Sequence, residues 1–219
     1  MIEVAGANEG QEYEAALHIR KKLLAVWPDL SQHPDDHVKI FVSLKLYGQK
    51  YEDIDVFVVG HFSAPRVFDV EHMFYPRNGE PFVPRAASIR NFALAIEVKS
   101  HDATGVKFDD KVASVKYPRG WECVTGKAFE QVFELKTYLK RAGLLGLYIQ
   151  DMVFFTGLRE ANLPDRPHNC FGIDASFERI LNILDRQVSQ PVVNDRFVTI
   201  SFGPEASFHA ILAPDARGC

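Results

Sequence analysis

Between residues 38 and 47 the apolar positions recur every second residue: Val38, Ile40, Val42, Leu44 and Leu46. That period predicts a strand with one buried face. Gly48-Gln49-Lys50 predicts a turn, and Asp53 to Gly60 the returning strand of a hairpin. Upstream the period is helical. Tyr13, Ala16, Leu17 and Leu24, with Ile19 and Leu23, predict a helix from Glu9 to Val26, ended by Trp27-Pro28. Residues 61–93 carry Pro65, Pro76, Gly79, Pro81 and Pro84, which predicts an excursion of loop and short strands between two core strands. Leu94, Ile96 and Val98 alternate again and predict the next strand.

Residues 100–120 predict a second irregular section, with 112–115 as a short strand. Thr125 is the expected N-cap of a helix from Lys127 to Ala142, whose stripe is Ala128, Val132, Leu135, Leu139 and Ala142 and whose stop is Gly143. A strand from Tyr148 to Gly157 and a proline-rich link at 163–167 follow. Asp174 or Ser176 then caps a helix bearing Phe177, Ile180, Leu181 and Leu184, and Phe197 to Phe202 predicts a last strand. The order predicts an α/β fold with a mixed central sheet flanked by helices. The expected core spans 1–145 with an insertion at 61–93, and 146–219 extends it by strand, helix and strand.

Charge inside the strands changes this picture. Asp55 falls on the face of Phe57 and Val59, opposite Ile54, Val56 and Val58. Because Leu94, Ile96 and Val98 share one face, Glu97 and Lys99 share the other, two residues apart. Carboxylates and lysines are rarely buried unless paired or bound to a metal. The bland alternative is a structural ion pair, Lys99 bridging strands at a sheet edge.

Composition constrains the rest. The chain has 219 residues, 25 Lys and Arg against 29 Asp and Glu, and a net charge of −4, which is not that of a protein coated for nucleic acid. Between Lys99 and Arg141, however, nine basic residues (99, 107, 111, 116, 119, 127, 136, 140, 141) face six acidic ones. No apolar run approaches membrane-span length, Met1 to Gly6 lacks the pattern of a signal peptide, and three widely spaced cysteines (123, 170, 219) fit neither a disulfide framework nor a zinc site. The expectation is a cytoplasmic location with no membrane partner. Neither a Walker pattern nor GxGxxG is present, which argues against NTP hydrolysis within the chain.

Two carboxylates and a lysine suit phosphodiester hydrolysis, which needs an activated water and counter-charge for the phosphate. Mg²⁺ prefers hard oxygen ligands, one or two of them carboxylates. Asp55 and Glu97 are the expected metal ligands, with the Val98 carbonyl as a further one. Lys99 is expected to stay charged between the carboxylates and to orient the water or stabilise the transition state. Gln131, in register with Leu135 and Tyr138, points its amide near the sheet. Glu12, on the side of Ala16, Ile19 and Leu23, is a candidate to face the metal, with Glu9 almost equal to it.

The set of Asn8-Glu9-Gly10-Gln11-Glu12, Asp55 within Ile54-Asp55-Val56-Phe57, Glu97-Val98-Lys99, Val115-Lys116-Tyr117 with Trp121, and Phe129-Glu130-Gln131 resembles the nuclease-related domain (NERD) of the PD-(D/E)xK nuclease superfamily. The resemblance covers roughly residues 8 to 142. It implies a restriction-endonuclease-like core and Mg²⁺- or Mn²⁺-dependent cleavage of DNA in bacterial or phage DNA processing or defence, often beside a helicase or other ATPase module. The competing expectation is an inactive module of the same fold that binds nucleic acid or a partner protein.

Overall fold

A computed structural model describes residues 2–46, 50, 53–70, 85–109, 112–141, 149–163 and 166–181. Among them β1 (Ile2–Gly6), β2 (His37–Lys45), β3 (Asp53–Val70), β4 (Arg85–Lys99), β8 (Gln150–Phe155) and β9 (Cys170–Gly172) form a six-stranded mixed sheet in the order β1-β2-β3-β4-β8-β9. β2, β3 and β4 are antiparallel neighbours, while β1, β8 and β9 join in parallel. β5 (Val106–Asp109), β6 (Val112–Tyr117) and β7 (Gly120–Cys123) form a separate three-stranded antiparallel sheet.

The alternation of β3 and β4 sends their side chains to two cores. Val56, Val58, Leu94, Ile96 and Val98 pack under helix α1 (Gln11–Val26), against its buried Ala15, Ala16, Ile19 and Leu23. Phe57, Val59, Ala93 and Ala95 pack under α2 (Val124–Arg141), against Val132, Leu135 and Leu139. A third cluster joins Ala113 and Val115 of the small sheet, Val124 and Ala128 of α2, and Val153 and Phe155 of β8. The small sheet and the first turns of α2 therefore cover the same face of the main sheet, at its β8 side. α3 (Phe177–Leu181) is capped by Ser176, whose Oγ accepts from Arg179 N at 3.0 Å.

Several expectations are corrected. β2 buries both faces, not one, because α1 covers Val38, Ile40 and Val42 while Phe41 and Leu44 join the α2 core. Much of the 61–93 insertion is a continuation of the core strands: β3 runs on to Val70 and β4 begins at Arg85. Between His61 and Arg66, β3 advances five residues while β4 advances two, and this bulge absorbs Pro65 and restores pairing beyond it. Thr125 lies inside α2, and its hydroxyl accepts from Ala113 N at 3.2 Å, tying the helix start to β6 instead of capping it. Where an irregular section was expected, 106–109, 112–117 and 120–123 form the three-stranded meander. β1 and β9 are strands that the sequence pattern did not predict. The predicted turn at 48–49, residues 71–84, Ala142, Gly143, Tyr148, Leu184 and the strand at 197–202 lie outside the described residues. No described helix is long and apolar enough to cross a membrane.

Candidate functional site

The register brings Asp55 and Glu97 together. Val56 pairs with Ile96, so the next row places Asp55 opposite Glu97, on the α2 face. The same row begins at Ser43 of β2 and ends at Val153 of β8. Regular β2–β3 pairing skips Ser43, which takes a left-handed φ of 53°, and β3–β4 pairing stops at Val56–Ile96. A left-handed serine costs about 1 kcal/mol or more, strain of the kind that clusters at functional sites. Where the ladder stops, the Asp55 carboxylate takes over, its Oδ2 accepting from Val98 N at 2.7 Å. A strand residue points its N–H and C=O to the same side, so the Val98 carbonyl also faces the Asp55 edge.

Two ammonium groups converge on one carboxylate oxygen. Glu97 Oε1 accepts from Lys99 Nζ at 2.5 Å and from Lys127 Nζ at 2.7 Å. The Glu97 side chain is fully buried, that of Lys99 is 10% exposed, and that of Lys127 is 33% exposed. Glu97 Oε2 is buried with no hydrogen-bond partner among the described residues. An orphaned carboxylate oxygen in a buried site is costly and calls for an explanation.

The electrostatics separate the two acids. Burial, with the neighbouring Glu97 charge second, pushes the Asp55 carboxyl up to about 6, against the pull of Val98 N–H and the lysines. Burial acts on Glu97 in the same direction, but Lys99 and Lys127 outweigh it and hold Glu97 below the ordinary carboxylate range. Burial lowers both lysines, and Glu97 outweighs it, so each stays above its ordinary value. At neutral pH the row holds a charged Glu97 between two charged ammonium groups.

Gln131 is buried and donates Nε2 to the Asp53 carbonyl at 2.8 Å, fastening α2 to β3 two residues before Asp55. Its amide is engaged with the backbone, unlike the expected contact with water or phosphate. Glu12 is not brought to the cluster. α1 packs on the opposite face of the sheet, and no hydrogen bond or ion pair among the described residues links Glu12 to Asp55, Glu97 or Lys99. Glu9 is exposed ahead of that helix.

Sequence reasoning missed Lys127. The available signal was its position four residues before Gln131, which puts both on one helix face. A cleft of about 470 Å³ opens at this point, lined by Lys99, Tyr117, Glu122, Cys123, Lys127 and Glu130 among others. The strand end that carries Lys99 is held from behind: Thr156 N donates to the Lys99 carbonyl at 2.8 Å. Gly157 is required beside it, since a Cβ there would lie 2.6 Å from the His101 carbonyl oxygen. His101 itself sets its ring edge against Tyr117, with centroids 5.1 Å apart.

Among the described residues no three His, Cys, Asp or Glu side chains form a ready-made metal cage. Two carboxylates do converge, which is the usual protein contribution to Mg²⁺, and the orphaned Glu97 Oε2 is an acceptor available to a cation. The donor set therefore fits such an ion. No protein-family model, curated protein or solved structure matches this chain.

Proposed function

We propose that this chain hydrolyses the phosphodiester bonds of DNA with Mg²⁺ or Mn²⁺. The observation that carries the reading is the pair of opposed acids, Asp55 and Glu97, beside two charged lysines at the wall of a cleft, with one buried Glu97 oxygen lacking a partner among the described residues. Asp55 and Glu97 would hold the ion, with the Val98 carbonyl on the same strand edge. When bound, the ion supplies positive charge at the phosphate and lowers the pKa of a water. Lys99 and Lys127 hold their protons at neutral pH, so they act as donors and counter-charges for phosphate oxygens, not as bases. Gln131 sets the spacing of α2 from β3 and so positions Lys127 against Glu97. The mixed sheet with helices on both faces, carrying Asp on one central strand and Glu-x-Lys on the next, supports a restriction-endonuclease-like core of the nuclease-related-domain kind. In that setting a helicase or other ATPase module is the expected companion.

One observation favours a second reading. Both lysines already neutralise Glu97, so the cluster could serve as an internal ion pair in a catalytically silent module that binds nucleic acid or a protein. The test is incubation of the purified chain with labelled single- and double-stranded DNA in Mg²⁺, Mn²⁺ or EDTA, beside Glu97→Ala and Lys99→Ala. Metal-dependent cleavage that falls by more than about a thousand-fold in both variants, some 4 kcal/mol of transition-state stabilisation, is the expected result. Absence of cleavage by the unaltered chain, or cleavage that survives both substitutions, overturns the nuclease reading.

A further inference from the structure

The small sheet presents a surface that the cluster at Glu97 does not use. Its inner face, with Phe108, Ala113 and Val115, packs into the third core. On the outer face, Lys116 pairs directly with Trp121, and Lys107 pairs with Ser114 in the neighbouring row. Trp121 is 43% exposed, and the Lys107 ammonium stands 4.7 Å over its ring centroid. Lys107, Lys116 and Arg119 of the β6–β7 turn are all exposed. Cys123 lies on the same outer face as Trp121, two residues along β7, and also lines the cleft that holds Lys99 and Lys127. The aromatic surface is thus continuous with the candidate site.

We infer that the outer face of β5–β7 is a docking platform for a single-stranded polynucleotide, a base stacking on Trp121 while Lys107, Lys116 and Arg119 hold backbone phosphates. The inference rests on the nuclease reading only for the direction in which the strand runs, into the cleft. Once the Lys107 ammonium swings from the indole to a phosphate, the exposed tryptophan offers a flat π-face that any unpaired base can stack on, and a duplex keeps its bases within the helix. The flanking charge complements phosphate. The chain as a whole is acidic, so three exposed cations around one exposed indole make a local patch and not a general coating. The ordinary alternative is a surface cation–π interaction that only stabilises the meander, which predicts no ligand.

The test uses fluorescence of the whole chain in EDTA, so that binding is read without cleavage. Trp27, the second of the two tryptophans, is buried, and an added strand therefore reports through Trp121. Twelve-residue oligothymidylate, oligouridylate and a twelve-base-pair DNA duplex are titrated at low salt. Quenching by both single strands, tighter than by the duplex, is expected, because base stacking and phosphate binding are common to DNA and RNA. Trp121→Ala should weaken single-strand binding about ten-fold, and Trp121→Phe should retain most of it, both followed by the anisotropy of a fluorescein-labelled strand because these variants lack the reporting indole. Lys107→Ala with Lys116→Ala should reduce the slope of log affinity against log salt by about 1.4, roughly 0.7 for each phosphate that is no longer neutralised. No quenching, tighter duplex binding, or unchanged affinity in Trp121→Ala overturns the platform. Binding without cleavage then removes the nuclease reading alone, and cleavage without Trp121-dependent binding removes the platform alone.

Discussion

Two shielded clusters of carboxylates and cations sit on β3, and they are built on opposite principles. At the bulge, Asp36 Oδ1 accepts from Ser63 N and Oγ, both at 2.8 Å, and Oδ2 accepts from Arg66 Nε at 2.8 Å and Nη2 at 2.6 Å. Arg66 Nη1 reaches Asp29 Oδ1 at 2.8 Å, and its guanidinium lies over the Phe62 ring. Both oxygens of Asp36 are engaged, and the fork geometry clamps the extra residues of β3 in place. At the other end of the core strand, two lysines crowd one oxygen of Glu97, the second oxygen is left without a partner among the described residues, and Asp55 is pushed up to about 6. The first cluster completes its own hydrogen bonding, as a structural ion pair must. The second leaves one carboxylate oxygen without a partner among the described residues, and the proposed metal site rests on that difference.

Isosteric amides in the two clusters test this contrast most strongly. Asp36→Asn removes the more buried of the two counter-charges of a half-buried Arg66 and turns a donor toward existing donors, at an expected cost of about 3 kcal/mol in chemical denaturation. Glu97→Gln retains an acceptor for the lysines, leaves Asp55 as their counter-charge and relieves the desolvated carboxylate, at an expected cost of about 1 kcal/mol or less. A Glu97→Gln cost equal to that of Asp36→Asn would make both clusters structural.

The pH dependence should have opposite signs at the two sites. Burial raises Asp36, but hydrogen bonds from Ser63 and Arg66 prevail and hold it below its ordinary 3.8. Its contribution is present above that value and is lost as pH falls through the depressed folded one. Asp55 is raised, so between 3.8 and about 6 the folded chain binds a proton that the unfolded chain has released. Stability from this group therefore falls as pH rises through that window, and the cost is complete above it. Asp55→Asn should raise the stability of the metal-free chain by about 2 kcal/mol at pH 8, after a discount for partial solvent access, and by almost nothing at pH 3.5. A variant less stable than the unaltered chain at pH 8 would show that the Asp55 charge supports the fold.

The same contrast explains what was legible in the sequence. Asp55, Glu97 and Lys99 stood out because strict alternation assigns every strand residue to a face, and a charge on a buried face breaks the pattern. Lys127 did not stand out, since a lysine in the first turn of a helix is ordinary until the helix is docked. The Asp36–Arg66 clamp was invisible because it joins residues across a bulge, and Pro65 there reads as a strand breaker. β9 is three residues long and pairs in parallel with β8, too short for any period to show. Thr125 had the chemistry of a cap, yet the tertiary bond to Ala113 N decided its place. Local period carried the core strands, and docking between elements decided the rest.

Gln131 tests the boundary between the two kinds of cluster, because it is fully engaged like the clamp yet belongs to the helix that delivers Lys127. Gln131→Leu should leave the Asp53 carbonyl without its donor and cost about 1 kcal/mol, seen as a melting temperature lower by about 2–4 °C. If the amide also sets the spacing between α2 and β3, kcat for DNA cleavage should fall about ten-fold with KM unchanged, since Lys127 is then misplaced at the reacting phosphate and not in strand capture. Gln131→Glu should fail to restore the rate, because a carboxylate would oppose the Asp53 carbonyl acceptor to acceptor. A melting shift with kcat unchanged would group Gln131 with the Asp36 clamp. A lowered kcat without rescue would make its bond to β3 the link through which the helix and the acidic row act as one site.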